Sequence, residues 1–88
     1  MIERIFQVRN RLGLHARPAA LFVQEAVKFK CQIFVVKEGL EVNGKSVMGL
    51  MLLAAEGGSK LTVKADGPDE AVALEVLSKI FERKFDEE

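Results

Sequence analysis

The chain has 88 residues, 49% of them apolar, and its 13 Lys and Arg balance 13 Asp and Glu. That length fits one domain with a compact core and excludes most multi-step enzymes, which need a large cleft between layers. Zero net charge excludes an electrostatic sponge for nucleic acid or anionic membrane, and the lack of Trp and Tyr removes the usual base-stacking platforms.

Ile2 to Arg9 alternates as a strand, with Phe6 and Val8 on one face and Ile5 and Gln7 on the other. The alternation leaves no apolar run for a signal peptide, and no stretch approaches the ~20 apolar residues of a membrane span. A cytoplasmic home is expected. Asn10-Arg11-Leu12-Gly13 reads as a turn. From Ala16 to about Lys28 the period becomes helical, with Ala20, Val23, Ala26 and Val27 on one side. Pro18 falls in the first turn, where its missing N–H costs nothing. Cys31 is the single cysteine, which allows neither an internal disulfide nor a Cys-cluster metal site. It reads as a reduced thiol at the edge of the core.

Gln32–Lys37 is a β-branched strand, Glu38-Gly39 breaks it, and Leu40–Val42 returns as the second arm of a hairpin. Asn43-Gly44 signals another turn. Ser46 is a candidate N-cap for a very apolar helix over Val47–Ala55, stopped by Gly57-Gly58. Leu61, Val63 and Ala65 alternate with Thr62, Lys64 and Asp66 as a half-buried strand. Gly67-Pro68-Asp69-Glu70 opens a last helix with a core stripe of Ala73, Val76, Leu77, Ile80 and Phe81. Asp86-Glu87-Glu88 reads as a frayed tail. The order β-α-β-β-α-β-α predicts an α+β domain over residues 1–88, a mostly antiparallel sheet with its helices on one face.

The chemistry concentrates at His15, the single histidine, between a glycine loop and a helix start. Free N–H groups and the positive end of the helix dipole converge there, a ready anion site. Arg17 adds a guanidinium suited to phosphate oxygens, and the Ala16 and Arg17 backbone would supply amide donors. Cations at a helix N-terminus are unfavourable for stability, so the placement is odd for a purely structural segment. Two readings stand side by side: His15 caps a helix beside a solvated Arg17, or His15 takes a phosphoryl group that the helix end and Arg17 hold. One histidine without a second ligand makes a poor metal site, and no cofactor is implied.

The string Gly13-Leu14-His15-Ala16-Arg17-Pro18-Ala19 resembles the active-site signature of the HPr family, the histidine phosphocarriers of the bacterial phosphotransferase system. The likeness covers essentially the whole chain, Asn10 included. It implies an open-faced β-sandwich: a four-stranded antiparallel sheet with three helices on one face. It further implies phosphorylation of His15 on its δ nitrogen, with Arg17 as electrostatic partner. The phosphoryl group would come from phosphoenolpyruvate through enzyme I and leave to enzyme IIA domains of sugar permeases or a nitrogen-branch equivalent. The chain would act as a covalent intermediate and not as a turnover enzyme, and as a monomer.

Ser46 matches the position at which many relatives, chiefly Gram-positive ones, are phosphorylated by an ATP-dependent HPr kinase/phosphorylase. Leu52 and Ala54 depart from that regulatory stretch, where a small polar residue and glycine often stand. The resemblance therefore leaves room for a corepressor role through Ser46 with a catabolite-control regulator, although the known regulatory paralogue lacks the histidine. Val47, Met48, Leu50 and Met51 form an apolar stripe expected to be partly exposed as a docking patch beside His15. Gly39–Ser46 fits the P-loop string G-x-x-x-x-G-K-S, which raises a nucleotide site using Lys45. Its interior alternates like a strand, Glu41 would repel phosphates, and no parallel βαβ core is available to it.

Overall fold

A computed structural model describes residues 1–87. Four strands, β1 (Ile2–Gln7), β2 (Gln32–Lys37), β3 (Leu40–Asn43) and β4 (Lys60–Asp66), form one sheet in the order β1-β4-β2-β3. Every neighbouring pair is antiparallel, with Ile5 opposite Thr62 and Val36 opposite both Thr62 and Glu41. Three helices, α1 (Ala16–Ala26), α2 (Val47–Leu52) and α3 (Glu70–Glu82), cover one face. The other face stays open; Thr62, Lys64, Glu3 and Glu41 lie on it, together with Ile5, Phe34 and Val36. Ile33, Val35, Leu61, Val63 and Ala65 are buried beneath the helices. The open-faced arrangement follows the β-α-β-β-α-β-α order expected from the sequence.

Three details depart from that expectation. The buried face of α1 is Ala19, Phe22 and Ala26, while Ala20 and Val23 are half-buried and Val27 is exposed. Phe22 sets the rotation: its ring meets Phe81 edge-on at 6.1 Å, so the helix turns its largest side chain inward. In α3 the same choice buries Leu74 and leaves Val76 half-buried. Helix α2 ends at Leu52 and not at Ala55. Ala54 takes a left-handed φ of 49°, which turns the chain so that the Ala55 carbonyl accepts from Leu14 N–H at 2.8 Å. That bond needs a glycine opposite. Gly13 has φ +75°, and a Cβ there would strike the Ala55 carbonyl oxygen.

The third departure is the C-terminus. After α3 a short 3₁₀ turn spans Lys84–Asp86, and all its residues have positive φ, between 54° and 59°. Left-handed backbone costs an L-residue roughly 1–2 kcal/mol, so a frayed tail would not hold it. Phe85 holds it. Its ring is buried against Phe81 at 4.9 Å, which carries the chain back over α1. The tail is therefore docked through Glu87; Glu88 lies outside the described residues.

Candidate functional site

The loop between β1 and α1 is pinned from both sides. Val8 N–H donates to Ser59 and Gly58 N–H to Val8, extending the β1–β4 ladder beyond Gln7. Asn10 is fully buried, and its amide donates to the Gly13 carbonyl at 2.6 Å and to Glu87 Oε1 at 3.0 Å. The loop then enters α1 with His15 at the N-cap in extended geometry (φ −77°, ψ −172°). Its ring makes no capping bond, although its carbonyl accepts from Ala19 N–H. The Ala16 and Arg17 N–H groups, first in the helix, have no intrahelical acceptor, and Pro18 has no N–H to orphan. Arg17 is exposed in the same turn. His15, the first amides of α1 and the exposed Arg17 thus share one helix end, where the helix dipole favours negative charge.

The ring itself is 38% exposed, and its Nε2 lies 3.0 Å from Glu87 of the docked tail, whose side chain is only 16% exposed. The Glu87 carboxyl is held below its usual range, first by the hydrogen bond from His15, then by the Asn10 amide and the nearby positive charge, against partial desolvation. Sequence reasoning missed Glu87, because nothing local distinguishes one acidic residue in an acidic tail. Asn10 reads from the sequence as a turn residue and as part of the resemblance, and neither implies its burial. Its burial and its partner 77 residues away are tertiary facts.

Beside the ring a shallow depression of about 260 Å³ is lined by Leu12, Leu14, Met51 and Ala54–Glu56. Met48 is 80% exposed, and Met51, Leu52 and Leu12 are exposed with it, while Val47 is half-buried. Leu50 is not part of this surface. It is 1% exposed and belongs to the core, since α2 must turn one residue per turn inward to pack on α1.

Ser46 is the N-cap of α2, and its Oγ accepts from Gly49 N–H at 3.0 Å. The P-loop reading fails in the fold. Leu40–Asn43 is strand β3, Glu41 pairs with Lys64, and Lys45 Nζ donates to the Phe29 carbonyl beyond the end of α1 at 2.7 Å. The lysine a nucleotide would need is spent on the turn that follows α1. Cys31 is buried and its thiol is pushed up to about 11, chiefly by desolvation and then by its hydrogen bond to Asp69, so it is a poor nucleophile. Among the described residues no cluster of side chains suits a metal ion, and no helix is long and apolar enough to cross a membrane.

Residues 2–83 match the family model described as the PTS HPr component phosphorylation site. The chain belongs to the HPr family. It is 47% identical, over the full length of both chains, to the phosphocarrier protein HPr of Treponema pallidum. It is also 49% identical to the HPr-like protein Crh of Halalkalibacterium halodurans, over 96% of this chain and all of that one. The crystal structure of HPr-C-His from Thermoanaerobacter tengcongensis superposes with a TM-score of 0.95 at 48% identity, covering 100% of this chain and 99% of that one. These likenesses make the chain a phosphocarrier-type protein of the phosphotransferase system, with the fold expected of one. They include Crh relatives as well as HPr relatives.

Proposed function

We propose that the protein accepts a phosphoryl group on His15 Nδ1 from phosphorylated enzyme I and hands it to enzyme IIA domains in sugar uptake and its control. One observation carries this reading: an accessible histidine that leaves its own helix uncapped, beside open Ala16 and Arg17 amides and the Arg17 guanidinium. In the transfer the Nδ1 lone pair forms the P–N bond while the phosphorus–donor bond breaks, its electron pair leaving on the donor. The amides and Arg17 then hold the dianion through charge-assisted hydrogen bonds, which are stronger in a half-buried site than in water. Leu12 and Met51 border the ring, and with Val47, Met48 and Leu52 of the same helix segment they make the apolar surface where partners would dock.

Incubation with phosphoenolpyruvate and enzyme I, followed by intact-mass and fragment analysis, tests the reading. One phosphate on His15, labile in acid and stable in alkali, is the expected result. No adduct, or an adduct elsewhere, defeats it.

A second reading concerns Ser46, which stands partly exposed at a helix start beside the same apolar surface. Phosphorylation there by an HPr kinase/phosphorylase would put a dianion next to the docking face and serve regulation, including through a catabolite-control regulator. His15 favours the carrier role as the primary one.

A further inference from the structure

Resting on that reading, we propose that Glu87 is a positioning residue that holds the His15 ring in the Nε2–H tautomer, with Asn10 aligning the carboxylate, so that Nδ1 meets the incoming phosphorus as a bare lone pair. Both Glu87 oxygens lie 3.0 Å from Nε2, so the carboxylate straddles that nitrogen. An ionised carboxylate only accepts, so the nitrogen facing it is an N–H and the opposite one carries the free pair. The ionised form is the stable one here, since the hydrogen bonds from His15 and Asn10 both favour it.

Asn10 makes the arrangement specific. Its amide nitrogen faces two acceptors, the Gly13 carbonyl and Glu87 Oε1, which leaves one orientation for the side chain. Its own Oδ1 is buried without a partner, a cost the loop bears to keep the nitrogen on Glu87. The backbone bears another. The left-handed Lys84–Asp86 turn exists only because Phe85 is seated on Phe81, and its product is the delivery of Glu87 to Nε2.

The division of labour follows the logic of a histidine oriented by a carboxylate on its far nitrogen. As the Nδ1 pair forms the P–N bond, positive charge develops on the ring. The Nε2 proton stays in place, and Glu87 opposes that charge across the hydrogen bond. No proton enters or leaves during the step.

The test uses the full chain with 15N-labelled histidine. At a pH where the ring is neutral, wild-type protein should give ring-nitrogen shifts of a single Nε2–H tautomer, with a hydrogen-bonded proton on Nε2. Glu87→Gln, whose amide can also donate, should lose that proton signal and show mixed tautomers, and Glu87→Ala should lose the signal too. Initial phosphorylation by enzyme I should fall roughly tenfold in kcat in both variants, with KM for phosphorylated enzyme I unchanged. Unaltered nitrogen shifts in both variants overturn the proposal, as do altered shifts with an unaltered kcat. Should wild-type protein take no phosphate at all, the carrier reading fails separately, while the nitrogen spectra still decide whether Glu87 sets the tautomer.

Discussion

Two helices of this protein begin beside the same surface, and they begin differently. Helix α2 starts at Ser46, whose hydroxyl accepts from Gly49 N–H, so its first turn is closed by its own cap. Helix α1 starts at His15, which caps nothing and leaves the Ala16 and Arg17 amides open next to a cation. A serine cap is worth about 1 kcal/mol, so α1 forgoes stabilisation that α2 takes. On the proposed function the forgone bond keeps donors available for a phosphoryl group, whereas the capped end of α2 has already used its own.

The largest effect that tests this contrast is removal of the proposed nucleophile. His15→Ala should abolish phosphorylation by phosphoenolpyruvate and enzyme I outright, while Ser46→Ala should leave labelling intact and lower stability by about 1 kcal/mol. Intact-mass analysis and thermal melts of the two variants read both outcomes. Labelling that survives in His15→Ala would put the chemistry elsewhere.

Arg17 comes next. Its charge faces solvent in the resting protein and matters most once a dianion sits on the ring. Arg17→Ala should slow transfer on the order of 100-fold, as loss of a charge-stabilising donor does. Stability should change by less than about 1 kcal/mol, as for other exposed substitutions. A variant that unfolds readily yet transfers at the wild-type rate would make Arg17 a structural residue.

What the sequence makes legible at these two helix ends is local chemistry, and what it hides is distant. His15, Arg17 and the Ser46 cap can be read from a few adjacent residues, because capping preference and helix polarity act within one turn. The alternation of β1 and β4 and the β-branched run of β2 are legible for the same reason. The rotation of α1 is not, since Ala20 and Val27 fit the period as well as Ala19 and Phe22 until Phe81 arrives from the last helix. Leu50 and Met51 likewise differ only in which of them α2 turns inward. The docked tail was the least legible element. A left-handed turn of Lys, Phe and Asp has no propensity in its favour and stands on Phe85 burial, which only the folded molecule defines.

The third helix start sharpens the comparison through pH. Asp69 occupies the N-cap of α3 but gives its oxygens to the Lys30 and Cys31 amides, at 2.8 and 2.9 Å, and makes no cap bond to its own helix. Those bonds hold its carboxyl below the usual range, the Lys30 amide contributing most. A depressed folded-state value means the contribution is complete above the unfolded value of about 3.9 and disappears as pH falls through the lower folded one. Asp69→Asn should therefore flatten the acid limb of stability below about pH 4 relative to wild type. Thermal melts from pH 6 downward measure it, and parallel curves would remove Asp69 from the acid response. Glu70 and Glu87, lowered by the Gly67 amide and by His15 respectively, remain to titrate in that variant, so the limb is flattened and not erased.

The smallest expected change is at Ser46, and it asks whether the closed helix end can be turned into a control point without disturbing the fold. An aspartate there can accept from Gly49 N–H as the serine hydroxyl does, and a helix N-terminus favours the negative charge. Ser46→Asp should accordingly keep its melting temperature close to wild type. The effect falls on binding instead. Met48 is exposed two residues away, and Met51 borders the depression beside His15, so the new charge lies against the surface a partner must cover. A partner face that complements Arg17 carries negative charge, and like charges across an interface raise the cost of encounter. Transfer from enzyme I should weaken in the Asp variant, and the deficit should shrink as salt screens it, with a Debye length of about 10 Å at 0.1 M. The transfer rate across an ionic-strength series separates the cases. A deficit largest at low salt makes Ser46 a lever on docking, whereas equal rates throughout leave it a helix cap and nothing more.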